Sequence, residues 1–207
     1  MKKVLLSVLV FSIFLVSCVK NDTNSILKKL DKTLDNYIGY EAKAELQFNM
    51  DKGETVYLLD EMYRQNGEIK LSILEPSENK GITIEYKDDK IFLNNASIRQ
   101  SISLKGIKGL NRSLLFGEVF ESRELIDSVR EEESEEGKYY VISYTLRDNN
   151  RYNKEKIIYL DKKDFKPYKM IILDGENNPR ISIEYKDFNY IENKEKWGGE
   201  YGRFNFI

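Results

Sequence analysis

From Tyr40 to Met50 the chain alternates without a break. Tyr40, Ala42, Ala44, Leu46, Phe48 and Met50 fall on one side, and Glu41, Lys43, Glu45, Gln47 and Asn49 on the other. A period of two over that length is an extended strand with one face in a core and one in water, and it fits no helix. Such a strand needs neighbours to form a stable sheet. The sequence supplies them: Asp51-Lys52-Gly53 and Gln65-Asn66-Gly67 are hairpin turns, because Asn and Gly accept positive φ. Strands are predicted over residues 55–64, 69–74, 82–86, 91–93 and 97–104, then again over 139–146, Glu155–Asp161, Pro167–Leu173 and 180–185. Phe188, Tyr190, Trp197 and residues 204–207 read as an aromatic tail.

Helical spacing appears twice. Ile26, Leu27, Leu30, Leu34, Tyr37 and Ile38 predict a helix over residues 24–37, stopped at Gly39. Leu110, Leu114, Leu115, Val119 and Phe120, with Phe116 beside them, predict another, and a short helix follows over 123–130. The fold class is therefore α+β, a curved antiparallel sheet covered on one face by helices. The acidic run Glu131-Glu132-Glu133-Ser134-Glu135-Glu136 reads as a solvated, mobile connector between two groups of strands. Such a connector would allow a strand-swapped homodimer that exchanges the segment after Gly137.

The N-terminus has a separate logic. Lys2 and Lys3 precede an apolar run over residues 4–16, and polar sequence begins at Lys20. The run falls short of the roughly 20 apolar residues of a membrane span and reads as an export signal. Leu15-Val16-Ser17-Cys18 resembles the lipobox of bacterial lipoproteins. That resemblance implies lipid attachment at Cys18, with palmitate among the acyl chains, and cleavage before it. Cys18 is the only cysteine, so it has no disulfide partner. Two or more acyl chains anchor a protein stably where one is marginal. The expected organisation is a signal peptide (1–17), a tether (18–23) and a single domain (24–207) on the extracytoplasmic side of the cell membrane.

The chain of 207 residues has no histidine. Without histidine, and with its one thiol lipidated, it offers no zinc site and no Ser-His or Cys-His triad. Paired carboxylates remain, but no pair has a distinguishing context, so the expectation is no enzyme, no cofactor and no metal. A formal net charge of -2 does not suggest nucleic acid.

The Tyr40-x-Ala42-x-Ala44 strand, the stretch Met62-Tyr63-Arg64-Gln65-Asn66-Gly67, and Leu71-x-Ile73-x-Glu75-Pro76 followed by Ile91-Phe92-Leu93-Asn94 resemble the LolA/LolB lipoprotein-carrier superfamily. The resemblance implies an unclosed half-barrel. Within that superfamily the size and lipobox are most similar to the GerS-type clostridial germination lipoproteins. What that implies is a non-enzymatic partner of the amidase, an N-acetylmuramoyl-L-alanine amidase, that makes the muramic-δ-lactam of spore cortex. A lipid or lipoprotein carrier is the alternative, with Leu110, Leu114, Leu115, Phe116, Val119 and Phe120 lining a cavity. The same stripe also reads as ordinary core. Trp197 either plugs the end of the sheet or anchors a partner.

Overall fold

The structure is a computed structural model and describes residues 23–50, 53–87, 90–105, 115–146 and 151–193. The lipobox residues Leu15, Val16, Ser17 and Cys18, the stripe residues Leu110 and Leu114, and Trp197 lie outside the described residues.

The described residues begin with helix α1 (Thr23–Leu34) and six strands: β1 (Tyr37–Met50), β2 (Gly53–Arg64), β3 (Ile69–Glu75), β4 (Ile82–Lys87), β5 (Lys90–Asn95) and β6 (Gln100–Lys105). A single helical turn α2 (Glu118–Glu121) and a 3-10 turn (Arg123–Leu125) lead into β7 (Ser128–Ser134), β8 (Gly137–Thr145), β9 (Glu155–Asp161), β10 (Pro167–Leu173) and β11 (Pro179–Glu192). All the described strands join one 11-stranded sheet in the order β6-β5-β4-β3-β2-β1-β11-β10-β9-β8-β7. Each half is a meander of sequential neighbours, and the long antiparallel pairing of β1 with β11 sews the halves together. The end strands β6 and β7 are not neighbours, so the sheet is unclosed, as the LolA/LolB resemblance implies.

One face of the sheet is covered. A continuous cross-strand row on it runs Tyr190, Tyr40, Tyr63, Ile69, Tyr86 and Ile91. The next row runs Phe188, Ala42, Glu61, Leu71, Ile84 and Leu93, with one acid in an otherwise apolar series. Helix α1 lays Ile26, Leu30 and Leu34 into the same core.

Four sequence expectations need correction. The first helix ends at Leu34 because Asn36 turns back and donates its side-chain amide to the Lys32 carbonyl at 3.0 Å. Tyr37 then belongs to β1 and stacks on Tyr190 with ring centres 4.4 Å apart. Gly39 is not a helix stop. It lies inside β1, where a Cβ would come within 2.0 Å of the Tyr63 carbonyl oxygen. The helix expected over residues 123–130 is only the 3-10 turn, and β7 has begun by Ser128. Phe188 and Tyr190 do not belong to a tail, because both are part of β11.

The acidic run is also not a connector. Glu131 to Ser134 are β7 residues paired along β8. Cations from neighbouring positions offset the repulsion: Lys162 lies 2.5 Å from Glu131, Lys138 2.9 Å from Glu133 and Arg130 3.2 Å from Glu132. Val129 supplies a partly buried anchor opposite Ile142. The stretch is therefore not the loose hinge that exchange of the segment after Gly137 requires. Its charge instead guards an edge strand against stray pairing.

Candidate functional site: a segment pinned over the covered face

Residues 115–125 cross from the first meander to the second. Phe116 and Val119 are wholly buried and Phe120 nearly so. Phe116 packs edge-on against Tyr40 and Phe188, with ring centres at 5.4 and 5.5 Å, and Phe120 lies 5.4 Å from Tyr63. Tyr40 stacks in turn on Phe188 at 4.8 Å. Aromatic pairs at these separations contribute about 0.5–1.5 kcal/mol each beyond the area they bury. Gly117 makes this close approach possible, because a Cβ there would sit 2.2 Å from Cδ2 of Tyr63. Gly117→Val is therefore expected to cost about 1–3 kcal/mol through overpacking, read as a lower urea midpoint. An unchanged midpoint would show that the segment can lift away freely.

Polar ties accompany the packing. The Tyr40 hydroxyl donates to Oε1 of Glu61 and accepts the Gly117 N–H at 3.1 Å. Tyr63 donates to Glu121 at 2.7 Å. Lys156 of β9 donates to Glu118, and its ammonium lies 4.6 Å from the centre of the Tyr144 ring. Arg123 reaches α1, contacting Asp35 at 2.9 Å and Asp31 at 3.3 Å. The segment is thus fastened to β1, β2, β9 and α1.

Burial changes the titration of these groups. Desolvation pushes the Glu61 carboxyl up to about 7, and the hydrogen bond from Tyr40 only partly offsets it. The Tyr40 and Tyr185 hydroxyls are driven well above the usual tyrosine range, first by burial and then by the Glu61 charge. Burial lowers Lys156, while Glu118 opposes that shift. The Tyr144 hydroxyl is buried with no hydrogen-bond partner among the described residues, and the Tyr185 hydroxyl finds at most the Phe116 backbone. Glu61 is 2% exposed and Lys156 fully buried, so neither reaches a substrate. Among the described residues no group of three or more acids, histidines or cysteines is placed to hold a metal ion.

Of the stripe, Phe116, Val119 and Phe120 are core residues, and half-buried Leu115 packs against them. They pack against Tyr40, Tyr63 and Phe188 on the covered face. The sequence reading assigned no role to Tyr40, Glu61 or Lys156. A signal for Glu61 was present, since the alternation of Tyr57, Leu59 and Tyr63 puts it on their face. An acid on a core face contradicts composition, and that contradiction marked the site.

The open sheet and its covered face define an unclosed antiparallel half-barrel. The chain belongs to the family of YdcC-like sporulation proteins, whose model matches residues 1–196. It is 22% identical over 197 residues to sporulation protein YdcC of Bacillus subtilis (strain 168), a match covering 93% of this chain and 56% of that protein. The chain thus spans about half the length of that curated relative. Among solved structures, it is similar at 26% identity to one chain of the complex between the CwlD amidase from Clostridioides difficile and the GerS lipoprotein. That likeness covers 81% of this chain and 95% of the other, with a TM-score of 0.50. A conserved, uncharacterised protein of Thermus thermophilus shares the fold at 12% identity and a TM-score of 0.54, covering 86% of this chain and 95% of its own.

Proposed function

We propose that this protein is a non-enzymatic, lipid-anchored partner of a cell-wall amidase acting in spore formation and germination. The observation that carries the reading is the likeness to the amidase–lipoprotein complex, which extends over 95% of that chain. Membership of a sporulation family supports the setting. The Leu15-Val16-Ser17-Cys18 stretch supports anchoring through Cys18 on the extracytoplasmic side of the membrane. The burial of Phe116, Val119 and Phe120 against the sheet supports a partner over a lipid or lipoprotein carrier, which needs these side chains to line an open apolar cavity.

The test is capture of tagged full-length protein from membranes of sporulating cells, followed by mass spectrometry. An N-acetylmuramoyl-L-alanine amidase should be enriched, and a deletion strain should lack cortex muramic-δ-lactam. Cys18→Ala should leave the membrane fraction while still capturing the amidase from the soluble one. Recovery of no cell-wall hydrolase together with normal cortex lactam would overturn the partner reading. An unchanged membrane fraction for Cys18→Ala would overturn the anchor.

A further inference from the structure

The face opposite the pinned segment carries a groove that neither the fold nor the amidase reading accounts for. Its origin is two bulges. In β11, Asp187 pairs with Lys43 and Tyr185 with Ala44, so Lys186 is an extra residue. In β10, Pro167 pairs with Leu160 and Lys169 with Tyr159, so Tyr168 is extra as well. Pairing of β10 with β11 stops between these bulges, at Lys169 and Glu184. Bulges re-aim side chains and end pairing, and they concentrate at binding sites. The seam opens on the uncovered face into two hollows of about 450 and 410 Å3. Both are lined by Asp187 and Asn189, so they are contiguous. One extends across β1 and β2 to Ser72 of β3, and the other across β10 to Tyr139 of β8.

The chemistry of the lining is specific. Its lysines are engaged by carboxylates: Lys43 with Asp60 at 2.8 Å, Lys186 with Glu184 at 2.9 Å, and Lys70 with Glu85 at 3.4 Å. Lys166 lies 4.0 Å from Asp164. That leaves little uncompensated positive charge for an anionic polymer. By contrast, the side chains of Glu41 and Asn189, which face each other across β1 and β11, make no hydrogen bond or ion pair among the described residues. Asp187 makes no hydrogen bond or ion pair among the described residues, and its charge acts on Lys43. These are acceptors, plus one amide donor, gathered where the hollows meet. At one end half-buried Tyr168 stacks by one face on Tyr139, with ring centres 5.2 Å apart. An elongated groove with unengaged carboxylate and amide groups and a tyrosine wall suits an uncharged polymer rich in hydroxyl and amide groups.

We propose that this groove binds a glycan chain of N-acetylated sugars. Sugar hydroxyls donate to Asp187 and Glu41, an acetamido group pairs with the Asn189 amide, and a ring lies against Tyr168. The site would hold the protein on wall polymer, on the face away from the pinned segment.

The test is co-sedimentation of the full-length protein, in detergent, with purified peptidoglycan sacculi stripped of protein, with chitohexaose as competitor. Wild type should pellet and chitohexaose should release it. Asp187→Ala/Asn189→Ala and Tyr168→Ala should each weaken binding about tenfold, while Glu133→Ala on β7, outside the lining, should not. Asp187 and Asn189 are exposed, so the double variant should keep its fold, which circular dichroism checks. Failure of wild type to pellet, equal pelleting of the double variant, or release by salt or free stem peptide but not by chitohexaose would each overturn the proposal. The sacculi carry no amidase, so this result and the amidase capture stand or fall separately.

Discussion

Glu61→Gln is expected to stabilise the protein at pH 8 by about 3 kcal/mol and to remove most of its pH dependence between pH 4.5 and 7. The folded carboxyl titrates at about 7 against an ordinary value of 4.5. Between those values the native state holds a proton that the unfolded chain has released, so stability falls as pH rises. The contribution is fully present below pH 4.5 and is lost once pH has risen through 7. At 1.36 kcal/mol per pH unit, that interval amounts to about 3 kcal/mol. Glutamine keeps an oxygen to accept the Tyr40 hydroxyl and has no charge to desolvate. Urea unfolding of both proteins from pH 4.5 to 8 measures the effect. Parallel curves over the whole range would show that Glu61 is not buried as described.

The buried ion pair should give the second large effect, with an asymmetry. Lys156 is fully buried whereas Glu118 is 20% exposed. Glu118→Gln removes the carboxylate facing a buried ammonium and should cost about 3 kcal/mol at pH 7. Lys156→Met leaves a carboxylate that water can reach and puts an apolar chain where burial already disfavours charge. Its cost should stay within about 1 kcal/mol. The Glu118→Gln loss should shrink at high pH, because a neutral lysine tolerates that environment. A double-mutant cycle by urea unfolding decides it, and a Lys156→Met loss as large as that of Glu118→Gln would refute the asymmetry.

The two tests probe one arrangement. Glu61, through Tyr40, and Lys156, through Glu118, hold a short segment that fastens the two meanders on the covered face. The uncovered face is left for the polar groove formed where β10 and β11 part.

Local pattern was enough for most strands. β9 and β10 have the bounds their alternation predicts, and the Asn66-Gly67 turn fixes where β2 meets β3, with Gly67 at φ 84°. Period and turn chemistry are local properties, so they are legible one segment at a time. β7 was not legible, because five nearby glutamates argue for solvent until Lys138 and Lys162 are brought alongside. The groove escaped notice for a related reason. Bulges at Lys186 and Tyr168 are defined only by the strands opposite, and sequence distance hides the meeting of Glu41 with Asn189. Glu61 shows the boundary most sharply. Alternation assigned its face, but whether a carboxyl could stay there depended on the hydroxyl of Tyr40, which Gly117 in turn holds. Each of those energies belongs to groups far apart in the chain, and desolvation is set by everything packed around them. Local pattern therefore carried the strands and the face, while long-range packing set the charge, the seam and the site.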